Sequence, residues 1–448
     1  MDPSVGLVLA AGLGKRIKSE MPKALHQVAG IPMIDHVVQA LKLSGASRVI
    51  VVVGHGGEAL EQHLSSSAEV VWQDEQLGTG HAASCAAQAL AGYDGNVVVM
   101  PGDVPLLRAS TIRNLVEQHL RTGCAATVLS MVLDEPGAYG RIVRDSRRNV
   151  ASIVEYRDAS EEIRSLREVN TGVFCFATPL LFNYLPQLTN NNQQGEYYLT
   201  DVVEAFIAAG HAVGACTLDD PSEGAGINSR VELAQAEQVM RNRVRRELME
   251  SGVTMVDPAS TFIDSGVVIG EDTVIMPFTV ISGKCVIGKS CNIGPYVNIR
   301  DSSMDDGCNI GPFAYIRPGT HLARRVKVGD FVEVKNSSVG EGTKIPHLSY
   351  IGDAKLGAGI NIGAGTITCN YDGMAKHTTV IEDGAFVGAN SNLVAPVKVG
   401  REAYIATGST VTSEVPAGAL AIARARQENR DGWVARRKAA QASREERK

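Results

Sequence analysis

The amino-acid sequence predicts an α/β protein in three consecutive parts: an N-terminal doubly wound, Rossmann-like domain, a linker helix, and a C-terminal left-handed parallel β-helix of hexapeptide repeats. Three observations predict it. Short, continuous apolar runs alternate with helical stretches through the first half; a four-residue periodicity follows near Asn228; the remainder repeats every six residues. The corresponding segments are residues 1–227, 228–248 and 249–448.

In the first part, "VGLVLAAG", "RVIVVVGH", "NVVVMPGD" and "AATVLSMVL" have the length and all-apolar texture of strands buried on both faces. Helices are expected between them, over Pro32 to Ser44 and Gly80 to Ala91. That order predicts a parallel sheet with ligands at the carboxyl ends of its strands. Ala236, Met240, Val244 and Leu248 then recur every four residues, and Gly252 is placed to cap the helix they form. Beyond it Ile263, Ile269, Ile275, Ile281, Ile287, Ile293 and Ile299 stand six apart. After a slip of one residue the period resumes at Ile310, Ile316, Leu322, Val328 and Val334, and it reappears from Ile381 to Val411. Neither a helix nor an ordinary strand has a period of six. Each hexapeptide instead forms one short side of a β-helix coil, its aliphatic residue pointing into a stacked core. The phase breaks over "TCNYDGMAKHTT", which reads as a loop projecting from the solenoid, where binding residues often sit.

Bulk properties exclude several classes. A length of 448 residues with 44% apolar and 21% charged residues is globular and implies two or three domains. A formal net charge of -6 argues against a general nucleic-acid binder. No apolar stretch reaches the roughly 18 residues that span a bilayer, and Met1-Asp2-Pro3 lacks a cationic leader pattern, so the first apolar run reads as a strand. Eight scattered cysteines without a CxxC pair read as reduced thiols in a cytoplasm.

Chemistry first surfaces in "LVLAAGLGKRIKSEMPKAL". The glycines after a strand suit a phosphate, but the loop lacks the GKS or GKT ending of a P-loop, and Ile17 stands where a dinucleotide fingerprint closes with glycine. The loop with its PKxL segment resembles the sugar-nucleotide pyrophosphorylases, with Ile17 in place of their usual methionine. Together with the hexapeptide half, essentially the whole chain resembles the bacterial family that is both N-acetylglucosamine-1-phosphate uridyltransferase and glucosamine-1-phosphate acetyltransferase.

The resemblance implies two sites. In the first, UTP and N-acetylglucosamine-1-phosphate react with Mg2+ as cofactor. Leu9, Ala10, Ala11 and Gly12 approach the nucleotide, Arg16 and Lys23 supply cationic catalysis, and Asp103 and Asn228 hold the metal. Gln73, Gly78 and Thr79 read the uracil; Gly140, Glu155 and Asn170 belong to the amino-sugar segments. By itself Asp103 reads as a turn residue, Asn228 equally as the cap of the linker helix, and Glu155 and Asn170 as ordinary polar residues. In the second site an amine attacks the acetyl-CoA thioester and needs a base, for which His347 in "KIPHLSYIGD" is the candidate. Arg317, Lys335, Tyr350 and Asn361 would hold glucosamine-1-phosphate. Ala364, Asn370, Tyr371, Ala389, Thr407 and Arg424 would contact acetyl-CoA, although Ala389 stands where the family pattern has serine and Thr407 where it has alanine.

The resemblance also implies a homotrimer, while charge, hydropathy and cysteine usage point to no nucleic-acid or membrane partner and to the cytoplasm. Arg436, Arg437, Lys438, Arg444, Arg447 and Lys448 read as a solvated or partly disordered basic end, with closure of the coenzyme site as the alternative. Two other classes stay open: another sugar-1-phosphate nucleotidyltransferase whose β-helix serves assembly or regulation, and a solenoid scaffold with a degenerate head. The set Arg317, Lys335, His347, Asn370 and Tyr371 discriminates against the first, and intact Lys23 and Asp103 against the second.

Overall fold

A computed structural model describes residues 4–12 and 14–445. Met1-Asp2-Pro3, Arg447 and Lys448, singled out above, lie outside them. The chain divides into two compact units, residues 1–246 and 247–448.

In the first unit nine strands form one sheet: β1 (Val5–Leu9), β2 (Arg48–Val53), β3 (Glu69–Trp72), β4 (Asn96–Pro101), β5 (Ala126–Val132), β6 (Arg141–Arg144), β7 (Val150–Val154), β8 (Glu168–Ala177) and β9 (Val213–Thr217). The main order is β9-β5-β8-β4-β1-β2-β3, with β6 and β7 attached as an antiparallel hairpin. Alternation along each strand feeds two cores. Leu7, Ile50 and Val99 pack on one face; Val8, Val51 and Val98 pack on the other. This is the doubly wound layer, with one correction to the all-parallel expectation: β8 runs antiparallel to both β4 and β5. The β6–β7 hairpin leaves the chain at the carboxyl end of β5, so the next strand must enter from that end. That reversal places Asn170, near the start of β8, opposite Ser130 at the ligand edge.

The helix expected from Pro32 to Ser44 is observed as Met33–Ser44. The one expected over Gly80 to Ala91 is confined to Thr79–Ser84, with Cys85 to Ala91 in turns. The four-residue pattern forms a 21-residue helix, Arg230–Glu250, after which Gly252 has φ +98°.

The second unit is a left-handed β-helix of three parallel sheets with ten, nine and eight short strands. All the hexapeptide aliphatics named above are buried. The phase slips also have a structural cause. Ile299 to Met304, Val334 to Val339 and Ile351 to Leu356 are five-residue sides, all six residues buried, so the coil there shortens from 18 residues to 17. The loop breaks the coil between strands Ile367–Cys369 and Thr379–Ile381. It is a tight hairpin: Tyr371 pairs with Lys376, and Asp372 accepts hydrogen bonds from the amides of Met374 (2.8 Å) and Ala375 (2.7 Å). Within the basic end a helix forms, Trp433–Glu445, that buries no residue, the solvated one of the two expected states. All eight cysteines are free, and no helix among the described residues is long and apolar enough to cross a membrane.

Candidate active sites

At the carboxyl edge of the first unit's sheet lies a cavity of about 660 Å3. Leu9, Ala10, Ala11, Gly12, Lys23, Gln73, Gly78, Thr79, Asp103, Glu155 and Asn170 all line it. Arg16 and Asn228 line a smaller adjoining hollow of about 190 Å3 together with Gly12, Gly14 and Lys23. Gly140 lines neither; it backs the cavity, because a Cβ there would meet Glu155 Oε1 at 3.3 Å, and its carbonyl accepts the Asn170 amide at 2.9 Å. Ile17, the departure in the loop motif, is fully buried and packs.

The cavity walls are held from behind. The Gln73 amide nitrogen sits between the Gly78 carbonyl (3.2 Å) and His81 Nδ1 (2.9 Å). Gly78 must be glycine: its φ is +108°, and a Cβ would stand 2.7 Å from the Tyr197 carbonyl oxygen. Burial pushes the Glu155 carboxyl up, and the Thr200 hydroxyl, donating to it at 3.3 Å, only partly offsets this. Asp201 nearby is raised to about 6 by burial and by Glu204 and Asp158.

Three polar side chains meet at one point. Lys23 Nζ bonds the Asp103 carboxylate and, at 2.6 Å, Asn228 Oδ1. The linker helix does not use Asn228 as its cap. Ser229 Oγ accepts the Glu232 amide (3.2 Å), as a helix cap does, and the Glu232 carboxylate accepts the Asn228 amide one residue before it (2.7 Å), which leaves the Asn228 side chain to the cation. An acid and a carboxamide oxygen already converge on one positive charge, which is the donor chemistry Mg2+ takes. Among the described residues no group of three or more His, Cys, Asp or Glu could hold a metal. Such a pair suits an ion that keeps waters and phosphates as its other ligands.

In the second unit Lys335 and Tyr350 lie on the nine-stranded sheet, and Arg317 and Asn370 lie one residue past strands of the same sheet, in successive coils. Tyr350 pairs in register with Glu333, and Lys335 with Gly352. Arg317 is ion-paired to Glu333 at 2.5 Å, while its Nε is buried and finds no partner among the described residues. Asn370 donates to Asp353 and, at 3.4 Å, to the Tyr350 hydroxyl. Burial pushes the Asp353 carboxyl up, but hydrogen bonds from Asn336 and Asn370 outweigh it and hold it below the usual range. Tyr371 is exposed, with its hydroxyl on the Gly373 carbonyl (2.7 Å).

His347 lies on the ten-stranded sheet, one corner before Tyr350, with Nδ1 2.6 Å from Asp330 Oδ1. From His347 a column climbs that corner. Lys344 pairs with Asn361, so the same register sets Ala364 beside His347. The Asn390 amide bonds the Ala364 carbonyl (2.7 Å), the Gly408 amide bonds the Ala389 carbonyl (2.8 Å), and Thr410 bonds Ala423 (3.0 Å), carrying the column through Ala389 and Thr407 to Arg424. At ~4.8 Å between strands the four coils from His347 to Arg424 span roughly 19 Å, a run suited to an extended chain-like ligand. Asn361 is set apart: within one chain it stands beside Lys344, three residues from His347 along the strand direction.

Residues 6–172 match the MobA-like NTP transferase domain, and residues 266–301 and 378–413 match the bacterial transferase hexapeptide of six repeats. The chain is 51% identical over 453 residues to the bifunctional protein GlmU of Heliobacterium modesticaldum, covering 98% of this chain and 99% of that one. It is 50% identical over 453 residues to that of Caldanaerobacter subterraneus subsp. tengcongensis, again covering 98% and 99%. With that of Geobacillus thermodenitrificans it shares 48% over 446 residues, covering 96% and 97%. The chain belongs to the GlmU family. In this GlmU-family chain the two hexapeptide matches bracket the stretch that holds Arg317, Lys335, His347, Tyr350 and Asn370. The repeat is least regular there, with short sides and the projecting loop, where the coil must carry polar residues.

Sequence reasoning missed residues that the fold brings to both sites. Gln76 lines the first cavity and donates to the Ala11 carbonyl at 2.6 Å, and Glu196 and Thr200 close its far side. Asp330, Glu333 and Asp353 touch His347, Arg317 and Asn370 respectively. Asp330 stood in reach of arithmetic: it precedes His347 by 17 residues, one short coil.

Proposed function

We propose that this chain makes UDP-N-acetylglucosamine by two reactions, acetyl transfer from acetyl-CoA to glucosamine-1-phosphate and uridylyl transfer from UTP to the N-acetylated product. What carries the reading is that one chain, alike to GlmU proteins over 98% of its length, has both the Lys23–Asp103–Asn228 cluster at the edge of a nucleotide-sized cavity and His347 at the foot of an open column. A nucleotidyltransferase with a merely architectural β-helix needs only the first.

In uridylyl transfer the sugar-phosphate oxygen attacks the α-phosphorus of UTP; the new P–O bond forms as the α–β bridging bond breaks and pyrophosphate leaves. The glycine-bearing loop from Leu9 to Gly12 lets the backbone approach the nucleotide, Gln73 with Gly78 and Thr79 faces the base, and Glu155 with Asn170 faces the amino sugar. Arg16 and Lys23 stabilise the charge that builds on the phosphates. Asp103 and Asn228 would hold Mg2+, whose contribution when bound is to neutralise phosphate charge.

In acetyl transfer the neutral amine attacks the thioester carbonyl, the C–N bond forms, the C–S bond breaks, and the thiolate of CoA leaves. Arg317 and Lys335 bind the sugar phosphate, Tyr350 orients the sugar, and His347 takes the proton lost by the amine. Ala364, Asn370, Tyr371, Ala389, Thr407 and Arg424 form the acetyl-CoA surface. With alanine at 389, contact there runs through the backbone. The reading includes a homotrimer with shared acetyltransfer sites, in which Asn361, paired with Lys344 rather than set beside His347 in its own chain, would serve the site of a neighbouring subunit. The protein works in the cytoplasm, where all these substrates are found and its thiols stay reduced. Purified protein given glucosamine-1-phosphate, acetyl-CoA, UTP and Mg2+ should yield UDP-N-acetylglucosamine, pyrophosphate and free CoA. UDP-N-acetylglucosamine made from supplied N-acetylglucosamine-1-phosphate, but no CoA release even when glucosamine-1-phosphate is saturating, would leave only the nucleotidyltransferase.

A further inference from the structure

We propose that Asp330 is a positioning residue for acetyl transfer, accepting the Nδ1 hydrogen of His347 and so presenting Nε2, with its lone pair, to the amine. The inference rests on the reading of His347 as the base.

Asp330 and His347 end neighbouring parallel strands, Lys327–Asp330 and Lys344–His347, and are paired in register. Their side chains meet at 2.6 Å, Oδ1 to Nδ1. The backbone holds this pairing: the Leu348 amide donates to the Asp330 carbonyl (3.0 Å), and the coils approach so closely that a Cβ on Gly329 would lie 1.9 Å from the Pro346 carbonyl oxygen. Only glycine permits that approach. The hydrogen bond from His347, joined by a backbone amide, keeps the Asp330 carboxyl below the usual carboxylate range, so it stays an acceptor at any working pH. A carboxylate on one ring nitrogen of histidine fixes the tautomer and favours the imidazolium that forms when the other nitrogen takes a proton.

Few other charges compete. Lys327 shares the strand of Asp330 and Lys344 that of His347, while the following coil offers Ala364, which has none. The His347 and Asp330 side chains are 56% and 37% exposed. An exposed pair of this kind adds little to folding stability, so a purely structural role predicts no effect on acetyl transfer.

The test uses the full-length protein with Asp330→Ala, Asp330→Asn, His347→Ala and the double variant Asp330→Ala/His347→Ala. Acetyl transfer is followed across pH, with uridylyl transfer and thermal melting as controls. Asp330→Ala should lower kcat for acetyl transfer at least about 10-fold, with the roughly 10²- to 10⁴-fold contribution of the general base itself as the ceiling, and with KM for both substrates little changed. Asp330→Asn keeps an acceptor without the charge; it should lose less and move the acid limb of the rate profile to lower pH. The double variant should be no slower than His347→Ala alone, because both act through one group. Normal kcat and an unmoved pH profile in both Asp330 variants, beside a dead His347→Ala, would overturn the proposal and leave the acetyltransfer reading standing. An active His347→Ala would remove the base itself. Should Asp330→Ala melt early, the Asp330→Asn profile decides alone.

Discussion

Replacing Lys23 by Met should move two measurable quantities in opposite directions. Its ammonium spans Asp103 and Asn228, with side-chain exposures of only 13% for Lys23 and 21% for Asp103. A divalent cation entering the nucleotide-free site must first displace it. Each charge-assisted hydrogen bond given up costs about 1.5–3 kcal/mol, and 1.4 kcal/mol is tenfold in affinity. Losing one bond therefore weakens cation binding about tenfold in the native protein, and losing both weakens it 100-fold or more. Methionine keeps the stem against which Gly14 packs and removes the charge. Titrating nucleotide-free protein with Mn2+ as a paramagnetic substitute should show Lys23→Met binding at least tenfold tighter. Uridylyl transfer should fall by roughly 10²- to 10³-fold for want of a preorganised cation. Unchanged or weaker Mn2+ binding would refute the assignment of the Asp103–Asn228 pair as a site that Lys23 occupies.

Asp103→Ala should abolish Mg2+-dependent uridylyl transfer and spare acetyl transfer, which normal UDP-sugar synthesis by that variant would contradict. Residues 1 to about 228 should retain uridylyl transfer and residues from about 249 should retain acetyl transfer when each fragment is assayed for both; acetyl transfer by the N-terminal fragment would sink the assignment. Light scattering should give a trimer, whereas a fully active monomer would mean that Asn361 is not shared between subunits. Burial lowers His119, which is 3% exposed, from its ordinary 6.5 to about 4. Its stabilising contribution is therefore complete above pH 6.5 and is lost as pH falls toward 4, on the order of 2 kcal/mol by pH 5. Urea unfolding of wild type and His119→Gln at pH 7 and pH 5 should show that extra loss in the wild type only.

The period of six was legible because one aliphatic residue per side has nowhere to go but the core; Ile263 through Val411 needed no partner to be read. What was hidden depends on pairing. A five-residue side such as Val334 to Val339 looks in sequence like an error of phase, and only the stacked coils show that it shortens one face. The antiparallel strand Glu168–Ala177 has the same apolar texture as its parallel neighbours, since direction is set by the hairpin before it. Asn228 and Ser229 are both good caps, and the choice between them turned on a lysine 205 residues away. In the first site the sequence positions carried over from the family motif nearly all line one cavity, because they sit at strand ends, where topology gathers residues. The second site was less legible, because its charged partners, Asp330 to His347 and Asp353 to Asn370, are each 17 residues apart and adjacent only across a coil.

Complementation between two defective variants tests the claim of two independent sites in one chain most directly. Asp103→Ala and His347→Ala, each supplied with glucosamine-1-phosphate, acetyl-CoA, UTP and Mg2+, should separately make almost no UDP-N-acetylglucosamine. Mixed, they should restore its synthesis, since the first releases N-acetylglucosamine-1-phosphate and the second uridylylates it. A mixture as inactive as either variant alone, with both proteins folded, would contradict the account.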